Sequence, residues 1–478
     1  MFYGQFTPAA PEITLLLLIC VVLIADLFVK DEQRAATLWM SLAALAVTAW
    51  SLFATTPAYP TQLFDGSYVS DGLSQIMKLA AILVVALGFL YARDYLKQND
   101  LLRGEFYLLG LFGLLGMMIM ISAASLLTMY LGLETLSLSL YALVAYERKS
   151  ATAAESAMKY FVLGAIASGA LLYGISWIYG ITGSLQFDDI ASAIRAGEVT
   201  GMPLYFGLTF ITVGIAFKFG AVPFHMWLPD VYQGARTPVT LYIASAPKIA
   251  ALALALRILV DGLGDLHGIW QAMVMVLAVL SLVIGNVVAI AQSNIKRMLG
   301  YSAIGHVGFI LMAVFAGTET GYAAALFYTL TYVIMAAGAF GMVILLSRRG
   351  FEAEHLSDFK GLNARSPWFA LMMMFFMFGM AGVPPWVGFF AKLSAISAVL
   401  DADFPGLAVL MVLAAVVGAY YYLRVVWYMY FEPAEDKSVF QAEIDTRLVL
   451  SLNGVAVLAL GVAPGWLMAL CAAATALS

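Results

Sequence analysis

The chain has 478 residues, of which 63% are hydrophobic and 11% charged, and its formal net charge is −5. With a mean hydropathy of +0.93, it lies far from the mix of soluble domains, where about a quarter of residues are charged, and this excludes a soluble globular protein. Cys20 and Cys471 stand at opposite ends without a metal-ligand partner at short spacing, and no phosphate-cradling G-x-x-x-x-G-K stretch occurs. Neither an iron–sulfur or zinc site nor a nucleotide-driven motor is therefore expected in the chain.

In chain order, Met1 to Ala10 carries no Lys or Arg, so the first apolar run is read as a retained helix and not as a signal peptide. Runs long enough to cross about 30 Å of hydrocarbon predict fourteen helices. They cover 11–29, 35–54, 72–92, 106–122, 125–146, 153–179, 204–222, 239–260, 269–291, 298–315, 322–346, 368–400, 407–430 and 448–470. With the N-terminus outside, alternate loops collect sixteen basic residues, from Lys30 and Arg34 to Lys437 and Arg447, and the opposite loops hold only Arg195. A miscounted helix would scramble that asymmetry, so both termini are expected on the outer face.

Seven basic residues fall inside the helices: Lys78, Lys159, Lys218, Lys248, Arg257, Lys392 and Arg424. Arg257 and Arg424 lie near helix ends and are expected to snorkel to the interface. Lys78 and Lys159 suit snorkelling and function equally. Lys218, Lys248 and Lys392 are expected well inside the bilayer, where an isolated charge costs about 2.5 to 3.5 kcal/mol on insertion scales. Glu134 is the one acidic residue expected at the midplane, and pairing it with a lysine would offset part of both desolvation costs.

Two helices meet prolines at depth, Pro223 after Gly220-Ala221-Val222 and Pro384-Pro385 after Ala381-Gly382-Val383. Proline lacks an N–H and clashes with the carbonyl four residues earlier, so the carbonyls of Phe219, Met380 and Ala381 are expected to lose their helical partners. Such backbone is tolerated at depth only inside protein or beside water. The breaks fall in the seventh and twelfth helices, an odd step, as in inverted repeats with a site at each break. Changing the distance between Glu134 and a lysine would load or unload a proton, with water bridging Lys218, Lys248 and Lys392 and with His225, His306, Tyr130, Ser137, Ser139, Tyr301 and Ser302 as polar neighbours. Metal cations would need oxygen ligands that the midplane lacks.

The stretch Lys218 to Tyr232 (KFGAVPFHMWLPDVY), with Thr237-Pro238 and Lys248, and the stretch Lys296 to Gly308 (KRMLGYSAIGHVG), resemble the antiporter-like membrane subunits of respiratory complex I, and the similarity covers nearly the whole chain. The Pro-Asp-Val-Tyr ending and Lys392 look like the branch with a lysine in the second broken helix. They are unlike the branch with a glutamate there or the one with a long lateral helix after the point where this chain ends, Ser478.

The resemblance implies an all-α membrane protein of about fourteen helices, with N-terminal helices in 1–105, inverted five-helix repeats in 106–260 and 269–430, and a last helix in 448–470. It implies that Glu134 and Lys218 form a coupled pair, that Lys248 is a central relay and that Lys392 exchanges protons with the outside, with Lys159, His225, Tyr301 and His306 on the same axis. Flavin mononucleotide, iron–sulfur clusters and quinone would reside in partner subunits of a bacterial inner-membrane NADH:quinone oxidoreductase, with no cofactor in this chain. Its partners would be neighbouring membrane subunits, lipids and, indirectly, the hydrophilic redox arm, and no nucleic acid. Arg236 departs from the family, where a proline or small residue is expected. The rival reading is a subunit of an Mrp-type cation/proton antiporter.

Overall fold

The computed structural model describes residues 6–30, 34–57, 59–434 and 443–476, so the loop position of Lys437 and the first five residues lie outside the described residues. Helices dominate: α1 (Ala10–Asp26), α2 (Ala35–Ala54), α3 (Gly72–Gln98), α4 (Gly104–Ile121), α5 (Leu126–Val144), α6 (Ala151–Thr182), the short α7 (Phe187–Arg195), α8 (Met202–Phe219), α9 (Trp227–Gly234), α10 (Thr237–Ala244) and α11 (Ala246–Ala255). They continue with α12 (His267–Ile290), α13 (Ile295–Phe315), α14 (Glu319–Leu346), α15 (Pro367–Ala381), α16 (Val387–Asp401), α17 (Pro405–Phe431), α18 (Ile444–Val462) and α19 (Gly465–Ala476). A small antiparallel hairpin, β1 (Thr61–Leu63) and β2 (Tyr68–Ser70), joins α2 to α3. Among the described residues, thirteen helical spans are long and apolar enough to cross a membrane, counting α10 and α11 as one span.

Where helix boundaries differ from expectation, proline accounts for most of the difference. The seventh helix ends at Phe219, before Val222, and the twelfth is two pieces, α15 and α16. The last expected helix breaks at Pro464 into α18 and α19, because Pro464 has no N–H to continue the ladder. The eighth breaks at Ser245, two residues before Pro247, and its C-terminal end widens into a π-helical turn, Leu256–Gly262.

Close helix pairs meet through glycine. A Cβ on Gly285 of α12 would lie 2.5 Å from the Gly305 nitrogen of α13, and one on Gly116 of α4 would lie 2.5 Å from the Leu136 nitrogen of α5. Small residues let backbones approach in this way where lipid supplies no hydrophobic drive between helices. Helices α13 and α14 lie at the centre, with nearly every residue buried. Most side chains that carry the chemistry converge around them.

Candidate functional site

Each broken helix ends in a left-handed glycine, Gly220 at φ +72° after α8 and Gly382 at φ +84° after α15. The turns close alike, with Ala221 N–H donating to the Ala216 carbonyl and Val383 N–H to the Phe378 carbonyl. The last carbonyl of each helix is left over, and a lysine takes it. Lys248 Nζ donates to the Phe219 carbonyl at 2.6 Å, and Lys392 Nζ donates to the Ala381 carbonyl at 2.7 Å. These are two of the three carbonyls the prolines were expected to free. Both lysines are buried, at 2% and 7% exposure, and each ammonium sits at the negative end of a helix dipole. Pro223, Pro384 and Pro385 themselves face the surface of the chain.

The expected direct pairing of Glu134 with a lysine is not formed; among the described residues, no ion pair joins it to Lys218. Ser168 donates to Glu134, and Lys218 donates to Ser137, one turn further along the helix that carries Glu134. Separate hydroxyls thus satisfy the two charges, and both residues are half-buried. A cavity of about 20 Å³ lined by Lys218, Lys248, Tyr160 and Trp227 lies between the first two lysines. That is room for one water with polar partners at each side.

In the second half, His306 is buried between two tyrosines, with Nδ1 2.8 Å from Tyr328 Oη and Nε2 2.9 Å from Tyr422 Oη. Tyr422 also hydrogen-bonds Ser302. Lys392 Nζ packs 5.5 Å from the ring centre of Phe309, one turn beyond His306. His225 and Tyr301 are half-buried with ring centres 6.5 Å apart.

Lys159 is off the buried axis. Its side chain is exposed and pairs with Glu155 at 2.9 Å and with Asp230 at 3.0 Å, and Asp230 also binds Arg297 at 2.7 Å. It lies near the start of α6, where a lysine reaches water. Arg257 does the reverse of snorkelling: it is 2% exposed, with Asp71 at 2.7 Å and Asp261 at 3.0 Å. The wide π turn carries it inward, and the i,i+4 spacing to Asp261 was a readable signal. Arg424 caps α12 by donating to the carbonyls of Ile290 and Gln292, so a helix end retains it. Lys78 is fully buried against Glu12 at 2.6 Å and Tyr68 Oη at 2.9 Å, a triad that ties the hairpin to α1 and α3. Tyr328 and Tyr422 were not read from the sequence, because a tyrosine in an apolar helix carries no mark of its partner.

The unexpected Arg236 binds Glu147 through two nitrogens and Glu352 at 3.0 Å. Burial alone would push the Glu352 carboxyl up, but Lys296, Thr237, Tyr95 and Arg236 together hold it below its ordinary value. The loop residue thereby clasps three connections on the basic face.

A polytopic helical membrane protein with two interrupted helices and ionisable groups on their freed ends defines an antiporter-like class of membrane subunit. A family model described as "NADH:quinone oxidoreductase/Mrp antiporter, TM" matches residues 123–418. NADH-quinone oxidoreductase subunit N of Thioalkalivibrio sulfidiphilus is 57% identical over 98% of this chain and 97% of its own length, and the subunit N of Thiobacillus denitrificans is 52% identical with the same coverage. A chain of respiratory complex I from Thermus thermophilus, solved with bound aureothin, superposes with a TM-score of 0.83 at 33% identity, covering 97% of this chain and all of that one. A chain of the Mrp complex from Dietzia shares the fold, with a TM-score of 0.85 at 21% identity over all of this chain and 97% of its own. The chain belongs to the NADH:quinone oxidoreductase/Mrp antiporter membrane family, and within it to the subunit N group.

Proposed function

We propose that this chain is a proton-translocating membrane subunit of a bacterial NADH:quinone oxidoreductase, which conducts and switches protons while redox chemistry in partner subunits supplies the energy. By itself it catalyses no reaction; flavin, iron–sulfur clusters and quinone belong to other chains. The observation that carries the reading is the placement of Lys248 and Lys392 on the freed carbonyls of the two broken helices. A lysine held there can take up or release a proton as the helix end shifts, whereas a scaffold could meet the same two carbonyls with neutral donors and avoid the cost of burying charge. Residues 106–260 and 269–430 act as two repeated units on this reading, each with one broken helix. Glu134 and Lys218 communicate through Ser137 and Ser168 and come together when a neighbouring subunit moves. The basic loops face the cytoplasm, and both termini face outward.

Purification of the native complex in mild detergent tests the class. NADH-oxidising flavin and iron–sulfur subunits are expected to accompany the chain, and an assembly of cation/proton antiporter subunits alone would contradict the reading. Two substitutions test the site more finely. Gly382→Ala forces a side chain to φ +84° with its Cβ 2.8 Å from Lys392 Cδ. It is expected to displace the ammonium from the Ala381 carbonyl, costing about 1 to 2 kcal/mol of strain and lowering NADH-driven proton uptake in membrane vesicles. Lys159→Ala is expected to leave that uptake close to wild type, since exposed ion pairs contribute about 1 kcal/mol or less.

A further inference from the structure

We propose that Ser302, Tyr422 and Tyr328 form, with His306, a proton wire that loads the second half of the chain from the cytoplasmic side. The inference rests on the proton-translocation reading above. Four buried groups on three helices join without a gap: Ser302 Oγ to Tyr422 Oη, Tyr422 Oη to His306 Nε2 at 2.9 Å, and His306 Nδ1 to Tyr328 Oη at 2.8 Å. One orientation makes all three bonds with a donor and an acceptor in each. Ser302 O–H donates to Tyr422, Tyr422 O–H donates to Nε2, and Nδ1–H donates to Tyr328.

The wire also has a direction in depth. Ser302 lies seven residues from the start of α13 at the basic face, about 10 Å in, and His306 about 16 Å in, at 1.5 Å per residue. Tyr328 lies nine residues from the outer end of α14, about 13 Å from the other face. The chain of hydroxyls therefore climbs from the imidazole toward the cytoplasm. It is distinct from a sideways link between Lys248 and Lys392.

Each step balances. A hydronium from the cytoplasmic side gives a proton to Ser302 Oγ as Ser302 O–H passes its own to Tyr422 Oη, and Tyr422 O–H passes its proton to Nε2. Water, a neutral serine, a neutral tyrosine and an imidazolium result. That imidazolium sits one turn from Phe309, against which the Lys392 ammonium packs. Tyr421 lies beside the wire, donating to Asn286 at 3.0 Å and within hydrogen-bond reach of Tyr422 and Ser302, whereas Tyr91, buried on α3 and hydrogen-bonded to Asn453 at 3.2 Å, shares no hydrogen bond with it.

The test measures protons taken up per NADH oxidised in inverted vesicles that carry the whole assembled complex. Tyr422→Phe removes one oxygen and Ser302→Ala one hydroxyl. Both are expected to lose most proton uptake per NADH with assembly intact, while Tyr91→Phe, which removes a buried hydroxyl outside the wire, keeps the wild-type ratio. Wild-type uptake in assembled Tyr422→Phe vesicles, or an equal loss in Tyr91→Phe, overturns the wire. Lys392→Ala, measured alongside, separates the two levels. If it fails to pump while Tyr422→Phe pumps normally, the wire falls and the proton-translocation reading stands; if both pump normally, both fall.

Discussion

Lys248→Met and Lys248→Arg are both expected to abolish NADH-driven proton translocation while the complex still assembles. Methionine matches the apolar stem but leaves the Phe219 carbonyl without its donor at 2.6 Å. An unmet buried acceptor costs about 1 to 3 kcal/mol, and removal of a buried charge returns part of it, so the fold survives. Arginine is the sharper variant. Its guanidinium can restore a donor to the carbonyl and a charge to the helix end, but it does not release its proton near neutral pH. If Lys248 were only a structural cap, Lys248→Arg would pump and Lys248→Met would be the worse of the two. Proton uptake by inverted vesicles, normalised to the NADH oxidation rate, distinguishes these cases.

Arg257→Ala is expected to have the largest effect on stability. It leaves Asp71, 1% exposed at its side chain, and Asp261 at one site without the guanidinium that joins them. Breaking a buried ion pair from one side costs about 3 to 5 kcal/mol, because the remaining charge stays buried and alone. The Ile121 carbonyl, which accepts from Arg257 Nε at 3.2 Å, loses its donor as well. The amount of chain in membranes and the thermal midpoint of the purified complex should both fall. Adding Asp71→Asn removes the stranded charge and keeps a side-chain oxygen for the Ser74 amide, so the double variant should recover part of the loss. A double variant no more stable than the single one would show that the pair carries little of the energy.

Much of this architecture was readable because the bilayer leaves few choices. Every backbone group must be satisfied internally, so apolar runs become helices and prolines at depth become breaks with freed carbonyls. The broken ends at Phe219 and Ala381 followed from letters alone. That lysines would occupy those carbonyls did not, because Lys248 comes from a different helix and Lys392 from beyond the break. The reading of Arg257 failed for a local reason, the π turn, which rotates a residue near a helix end into the interior. Lys159, which the sequence left open between snorkelling and function, is exposed on α6 and held by Glu155 and Asp230, and only Glu155, at i−4, was within reach of sequence spacing. The helix that carries Glu134 was legible, but its hydroxyl partner Ser168 comes from α6, at a separation that no sequence period announces.

The central claim is that buried lysines move protons powered elsewhere, and Lys218→Ala tests it most directly. The measurement is proton uptake per NADH oxidised in inverted vesicles containing the fully assembled complex. The account predicts that uptake collapses with assembly unchanged, because Lys218 links Glu134's helix through Ser137 to the water-sized cavity beside Lys248. Wild-type proton uptake per NADH in that variant would contradict it.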